Sequence, residues 1–278
     1  MILMQKLISL IKQKPYLIFY SVLFFIGLSV LLTILVDIVN IFNVKAFMNR
    51  ALDVPYFWYH WFTIPLEIPL QWYLLGSIVV VFAMIAGGAY ERNEKQIFYF
   101  WFLLSLGVVL MIVEDAGNVR HEIRWMIESV ADEEQYGFFG TISELLYFAI
   151  IGVIMLFALI RYRNVYWHLI DVKKYLFLGY LFYGLGVASS FLGSAFESVT
   201  GFSLYEKTGT FIMDSFFLND EKTELTYEIA LETMEDLNFM FMDKVYEESL
   251  ELIGAGALLT AGFFFLFSYM GNKSQKNQ

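Results

Sequence analysis

The chain contains no cysteine and only three histidines in 278 residues. Without cysteine it can form no disulfide, no thiolate metal site and no cysteine nucleophile. A three-histidine metal centre would need all of His60, His121 and His168, which the topology below predicts on opposite sides of a membrane. The histidine pattern of multi-histidine membrane hydrolases is therefore excluded. The sequence also lacks the basic stripe that binds nucleic acid and the glycine loop that binds phosphate.

Long apolar runs dominate the rest of the sequence. The chain is 59% hydrophobic and 19% aromatic, whereas a soluble domain is about 45–50% apolar. A membrane span needs about 20 apolar residues. The sequence predicts six spans, at about residues 16–40, 71–90, 97–117, 142–160, 174–196 and 250–270. We therefore predict an all-α, polytopic membrane protein in which residues 1–278 form a single integral membrane domain, a six-helix transmembrane bundle.

Charge is distributed unevenly between the two sides of this predicted bundle. Most of the 18 basic residues lie in the two termini and in the loops on the same side as the termini, which predicts cytoplasmic N and C termini. All but three of the 28 acidic residues lie on the other side; the three exceptions are Glu91, Glu94 and Asp171. The excess of acidic residues that gives the chain its net charge of −10 therefore lies on the external face. An external face without cysteine is common in bacteria, so we predict a prokaryotic cytoplasmic membrane.

An acidic and partly helical cap is expected on the external side. Apolar residues continue past the third predicted span at helical spacing as far as Val130, which predicts that this helix projects outward. Within the extracytoplasmic segment 203–245, Asn219 and Asp220 are good N-caps for a second external helix. The loop 44–70 holds three prolines, which exclude a long helix there. Small residues in the fifth predicted span favour close helix contact.

Acidic residues and a histidine cluster where the third span leaves the membrane. Asp115 and Glu122 are nearly two helical turns apart and share a face, with His121 one position away. Carboxylates with an imidazole at this spacing suit a borderline divalent cation such as zinc, manganese or iron. The alternative is a solvated helix exit whose charges pair with Arg120 and Arg124.

Three further carboxylates lie near the ends of the last two predicted spans. Glu247 and Glu251 are one turn apart at the start of the last span, and Glu251 is the deeper. Ionisable groups at membrane depth are usually functional, although the helix dipole alone favours acids in a first turn. Glu197 ends the fifth span, where a negative charge opposes the dipole. The alternative to a functional role is that the Glu197 carboxylate simply lies in bulk water.

The two acidic elements together resemble parts of a known group. Asp115-x5-His121-Glu122 and Glu247-Glu-x2-Glu251-x2-Gly254 are similar to elements of uncharacterised multi-pass prokaryotic membrane proteins. In these an acidic pair precedes a His-Glu, and a Glu-Glu-x2-Glu opens a later span. Ala116 stands where the second acid of the pair would be. The resemblance implies no activity, only that these positions belong together.

The leading functional hypothesis is an outward-facing site for a divalent metal cation. Its ligands would be Asp115, His121, Glu122, Glu197 and Glu251, with Glu247 as an outer ligand. In an enzymatic version, the metal would activate water against a lipid or envelope substrate.

Two alternatives stay open, and whether the protein is an enzyme is undecided. A cation transporter would use the same carboxylates, but the inner halves of most spans are almost wholly apolar. A non-catalytic subunit or sensor would instead dock a protein partner through its acidic cap. The expected partners are the lipid bilayer and a protein at the external face, with no nucleic acid. The oligomeric state is left open.

Overall fold

A computed structural model describes residues 9–39, 41–43, 70–117, 119–129, 136–200, 203–216, 239 and 241–276. All regular structure in these residues is helical, as predicted. The α-helices are α1 (Tyr16–Leu32), α2 (Gln71–Glu91), α3 (Lys95–Gly117), α4 (Val119–Glu128), α5 (Tyr136–Arg161), α6 (Ile170–Thr200), α7 (Leu204–Phe216) and α8 (Glu248–Lys276). Two π-helical segments, Thr33–Ile38 and Phe241–Glu247, extend α1 and precede α8, and 3-10 turns occupy Ile41–Asn43 and Arg163–Val165.

Four helical stretches among the described residues are long and apolar enough to cross a membrane. They are Tyr16–Val36, Gln71–Glu91, Lys95–Gly117 and Phe241–Met270, and they correspond to the first, second, third and sixth predicted spans. The predicted fourth span lies in α5, whose apolar part Leu145–Arg161 is shorter. The predicted fifth span lies in α6. The molecule thus has the helices of a membrane protein, while the count of six crossings and the side of the termini stay predictions.

The helices outside the spans agree only in part with the sequence analysis. Helical structure beyond α3 continues as α4 to Glu128, as the apolar spacing predicts. Helix α5 already begins at Tyr136, before the start of the predicted fourth span at residue 142. Helix α7 was not predicted, although Ser203 and Glu206 have the spacing of a capping box. The Ser203 hydroxyl accepts a hydrogen bond from the Glu206 backbone N–H at 3.2 Å. Both loop 44–69 and the predicted helix after Asn219 lie outside the described residues.

The chain divides into two compact units. Unit 1 comprises Met1–Val22, Trp72–Gly184 and Ile253–Gln278, and unit 2 comprises Leu23–Gln71 and Leu185–Leu252. The core of unit 1 is aromatic: the Trp101 ring lies 4.7 Å from that of Phe82 and 4.9 Å from that of Phe265, measured between centroids. Rings at these distances and tilted angles pack favourably.

Helix α8 is the most enclosed of the four candidate spans. Every residue from 254 to 262 is buried, so this stretch has no lipid-facing side. Glycines make the enclosure possible. A methyl group on Gly254 would lie 2.9 Å from the Gly179 carbonyl oxygen and 2.9 Å from the Tyr183 backbone nitrogen. The backbones of α6 and α8 therefore touch, as small residues allow in membrane helices.

We predict that Gly254→Ala lowers the stability of the protein by about 1–3 kcal/mol, because the added methyl group must displace backbone atoms of α6. Thermal unfolding of the purified protein in a neutral detergent measures the change. Gly184→Ala is the matched control, since a Cβ at that position meets no atom within 4 Å. The control should leave the melting temperature unchanged or slightly higher. Equal effects of the two substitutions would contradict the proposed backbone contact.

Candidate functional site

Polar side chains of unit 2 gather at the start of α8. The α-helix begins at Glu248 and directly follows the π-helical segment Phe241–Glu247. A π-helical turn is rare and is found frequently at functional sites. Glu247 and Glu251 lie about one turn apart, and both side chains are partly buried. The two carboxylates predicted at the head of the last span are therefore held within the protein.

Glu251 is held by a buried amide and a glycine. The Gln71 side chain, only 1% exposed, donates a hydrogen bond from Nε2 to Glu251 Oε2 at 2.6 Å. Gly186 of α6 faces the same carboxylate: a methyl group there would lie 2.8 Å from Glu251 Cγ. A larger residue at position 186 would therefore displace the Glu251 side chain. Hydrogen bonds to a charged acceptor are shorter and stronger than neutral ones, which agrees with the short distance.

Glu247 is held by the hydroxyl of Tyr205 at the start of α7. Tyr205 donates to Glu247 Oε2 at 2.6 Å. The Tyr205 oxygen also lies 3.0 Å from Ser189 Oγ. Because a tyrosine hydroxyl has a single proton, the serine is the donor in that second contact. Burial raises the pKa of Tyr205 well above its usual range, and the negative charge and hydrogen bond of Glu247 raise it further. Tyr205 is therefore a permanent donor to Glu247.

The same tyrosine attaches α7 to the π-helical segment. Tyr205, Gly209 and Met213 form the buried face of α7, and the Tyr205 ring lies 5.7 Å from the Phe239 ring. Residues at this spacing share one side of a helix. Packing of that side thus places the hydroxyl on Glu247.

Unit 2 also holds buried oxygen atoms that lack hydrogen-bond partners within the described part of the chain. They include Gln71 Oε1, Thr33 Oγ1 and Ser249 Oγ. An unsatisfied buried polar atom lowers the stability of a protein by about 1–3 kcal/mol. Such an atom in a native protein therefore needs an explanation, and one explanation is that it binds a water molecule or an ion. The Gln71 side chain is of most interest for a binding site. Its amide nitrogen donates a hydrogen bond to Glu251, while its amide oxygen accepts none from the described residues.

The predicted six-residue metal site stays a prediction, because not all of its side chains are described. No group of three His, Asp or Glu side chains lies close enough to hold a metal ion in the part that is described. Asp115 is partly buried at the end of α3, and Glu122 is exposed in the first turn of α4, where the helix dipole favours an acid. Both belong to unit 1, whereas Glu247 and Glu251 belong to unit 2. The side chains of His121 and Glu197 lie outside the described residues.

The neutral partners of the two carboxylates were not predicted from the sequence. Gln71, Gly186, Ser189 and Tyr205 were not selected as site residues, although three of them contribute polar groups to the site. A glutamine at the start of an apolar span was the available signal for Gln71, because a polar side chain at that depth needs a partner. For Tyr205 the signal was the capping box at Ser203.

Comparison with known proteins adds no family assignment. No protein-family model matches the chain, and no curated protein and no solved structure matches it either.

We predict that Tyr205→Phe weakens the attachment of α7 to the Glu247 carboxylate. Loss of a hydrogen bond to a charged group costs about 1.5–3 kcal/mol, so the variant should unfold at a lower temperature at pH 7. Amide hydrogen exchange in residues 204–216 should also become faster. Tyr246→Phe is the matched control, because Tyr246 directly precedes Glu247 in the sequence and its side chain is exposed. This control should unfold at the same temperature as the wild type.

The wild type and Tyr205→Phe together also test the raised pKa of Tyr205. A phenol whose pKa is raised by folding keeps its proton above pH about 10, where a tyrosine in the unfolded chain loses it. The unfolded state then binds fewer protons, so the stabilisation is complete below pH 10 and falls as the pH rises beyond it. The difference in melting temperature between wild type and Tyr205→Phe should therefore stay constant from pH 7 to 9 and shrink towards pH 11. A constant difference up to pH 11 would contradict the assignment.

Proposed function

We propose that this protein is a multi-pass membrane protein that binds a divalent cation at the head of its last span. Glu251 is the principal charged ligand, and the Gln71 carbonyl oxygen is the neutral one. Glu247 lies about a turn away and supplies a second negative charge. The observation that carries the proposal is the buried Gln71 amide, which donates to Glu251 through its nitrogen and keeps an unpartnered oxygen.

The energetics of burial support a positively charged guest. A carboxylate that is partly removed from water loses solvation, and a nearby cation compensates for that loss. The amide oxygen of Gln71 is also an acceptor in need of a donor or a cation. One ion in contact with both groups would satisfy the two requirements at once. Gly186 supports the same interpretation, because it leaves room for the Glu251 side chain.

The nature of the ligands favours a hard cation. The polar groups of this site in unit 2 are carboxylates, an amide and hydroxyls, all of which offer oxygen. Oxygen ligands suit Mg²⁺, Ca²⁺ and Mn²⁺, whereas imidazole suits zinc and iron. The sequence predicts a borderline ion only if His121 is one of the ligands. We now propose a hard ion, bound by two carboxylates and neutral oxygens, with bound water filling the remaining positions.

The alternatives are less well supported by the described residues. Docking of a protein partner depends on segment 203–245, most of which lies outside the description. A transporter needs polar groups along the membrane, yet the buried stretch of α8 from residue 254 to 262 is apolar except for Thr260. The Thr260 hydroxyl donates to the Gly256 carbonyl oxygen at 2.8 Å. Catalysis would require a substrate site beside the cation, which we do not propose.

We predict that the purified protein binds Mn²⁺, used as a spectroscopic substitute for Mg²⁺ or Ca²⁺, and that Glu251→Gln abolishes this binding. Substitution of residues that merely support a metal ligand typically costs 10–100-fold in affinity. Loss of the charged ligand should therefore cost at least about 100-fold, and Gln71→Leu about 10–100-fold. Electron paramagnetic resonance of free Mn²⁺ measures the bound fraction directly.

Asp214→Asn is the matched control, because it removes one negative charge from an exposed position of α7. This variant should bind Mn²⁺ as the wild type does. Melting temperatures without Mn²⁺ establish that each variant is folded. Either of two results would refute the proposal: no Mn²⁺ bound by the wild type, or equal binding by Glu251→Gln and Asp214→Asn.

A further inference from the structure

An open groove lies in unit 1, in the segment that joins α5 to α6. It has a volume of about 470 Å³ and is lined by Leu159, Ile160, Arg163, Asn164, Tyr166 and Trp167. This volume is within the range of small-molecule sites, about 300–1,000 Å³. The lining is apolar on the α5 side and polar at the turn. The groove is separate from the carboxylate site, which belongs to unit 2.

The floor of the groove is rigid. Tyr166 is buried, its hydroxyl donates to the Leu159 carbonyl oxygen at 3.2 Å, and its ring stacks on Phe100 at 5.2 Å. The backbone N–H of Trp167 donates to the Arg163 carbonyl oxygen at 2.9 Å. These contacts hold the connecting turn against α3 and the end of α5. The side chains of Arg163 and Trp167 are thereby presented from a fixed backbone.

Positive charge predominates around the groove. Residues 159–174 contain four basic residues and a single acid, Asp171. Arg163 lines the groove, and Lys173 Nζ lies 4.8 Å from the ring centroid of Trp167, which lines it as well. A guanidinium group binds phosphate through two parallel hydrogen bonds, and the exposed Asn164 amide adds a neutral donor. The polar end of the groove thus suits an anion of phosphate type.

An apolar stripe on α5 leads to the groove. Leu146, Ile150, Val153, Phe157 and Ile160 are all exposed, and their spacing of three and four residues places them on one side of the helix. Ile160, which is 72% exposed, belongs both to the stripe and to the groove. The indole of Trp167 is 60% exposed at the polar end, and tryptophan is enriched where lipid headgroups meet acyl chains.

We propose that this groove binds an anionic phospholipid, with its phosphate on Arg163 and Asn164 and its acyl chains along the exposed stripe of α5. The charge, the apolar stripe and the exposed indole match the three parts of such a lipid. Basic pockets at the ends of membrane helices on the cytoplasmic side bind lipids of this kind, and the sequence predicts that this turn is cytoplasmic. A soluble phosphate compound would use the polar end alone.

Native mass spectrometry of the full-length protein in a neutral detergent tests the proposal. The protein is titrated with phosphatidylglycerol, with phosphatidylcholine of the same acyl chains, and with glycerol phosphate as competitor. The two lipids share the phosphate, but the choline cation of phosphatidylcholine is repelled by Arg163 and Lys173. We therefore expect phosphatidylglycerol to bind at least about tenfold more tightly. Glycerol phosphate at equal concentration should not displace it.

Arg163→Gln should remove that preference for phosphatidylglycerol, and Asn164→Ala should reduce it. Lys174→Gln is the matched control, because it removes the same charge from the same segment while its side chain lies over Tyr175 instead. Melting temperatures without added lipid verify the fold of each variant. Equal affinity for the two lipids, equal loss in Arg163→Gln and Lys174→Gln, or complete displacement by glycerol phosphate would each overturn the proposal.

Discussion

A carboxylate at the start of a membrane-spanning helix must receive its hydrogen bonds from the protein, because hydrocarbon offers none. Glu251 stands at that position and receives a bond from Gln71 at 2.6 Å. Beyond Glu251, α8 is completely enclosed from residue 254 to 262. Within unit 2, Glu251 lies in the first turn of α8 and Glu247 ends the π-helical segment that precedes it. The contact of α6 with the Glu251 carboxylate at Gly186 supports the site within unit 2.

Glu247 and Glu251 have different hydrogen-bond partners, and we propose different roles for them. Glu247 is bonded by Tyr205, a donor that also attaches α7, so its contribution includes holding the external helix in place. Glu251 is bonded by an amide that still has an unpartnered oxygen. We propose that the second arrangement accommodates a positively charged guest. In the proposed site Glu251 is the principal charged ligand, while Glu247 adds a second negative charge and holds α7 through Tyr205.

Much of the fold was predictable from local sequence, and much of the site was not. The bounds predicted for α2 and α3 agree closely with the structure, because an apolar run between charged residues nearly defines a membrane helix. Glu251 could be selected for its depth alone. Its partner Gln71 is 180 positions away along the chain, and no local pattern indicates that two such distant residues meet. Asp115 was grouped with Glu251 by similar reasoning, yet the described residues do not bring a third acid or histidine to either one.

The most direct test of the central claim is the anomalous scattering of a crystal grown with Mn²⁺. We expect one peak in contact with both a Glu251 carboxylate oxygen and Gln71 Oε1, at the distance of about 2.0–2.6 Å that hard cations keep from oxygen. Crystals of Glu251→Gln should lack this peak and otherwise retain the same structure. A peak only at exposed acids such as Glu122 and Asp214, or none at all at a saturating concentration of Mn²⁺, would contradict the account.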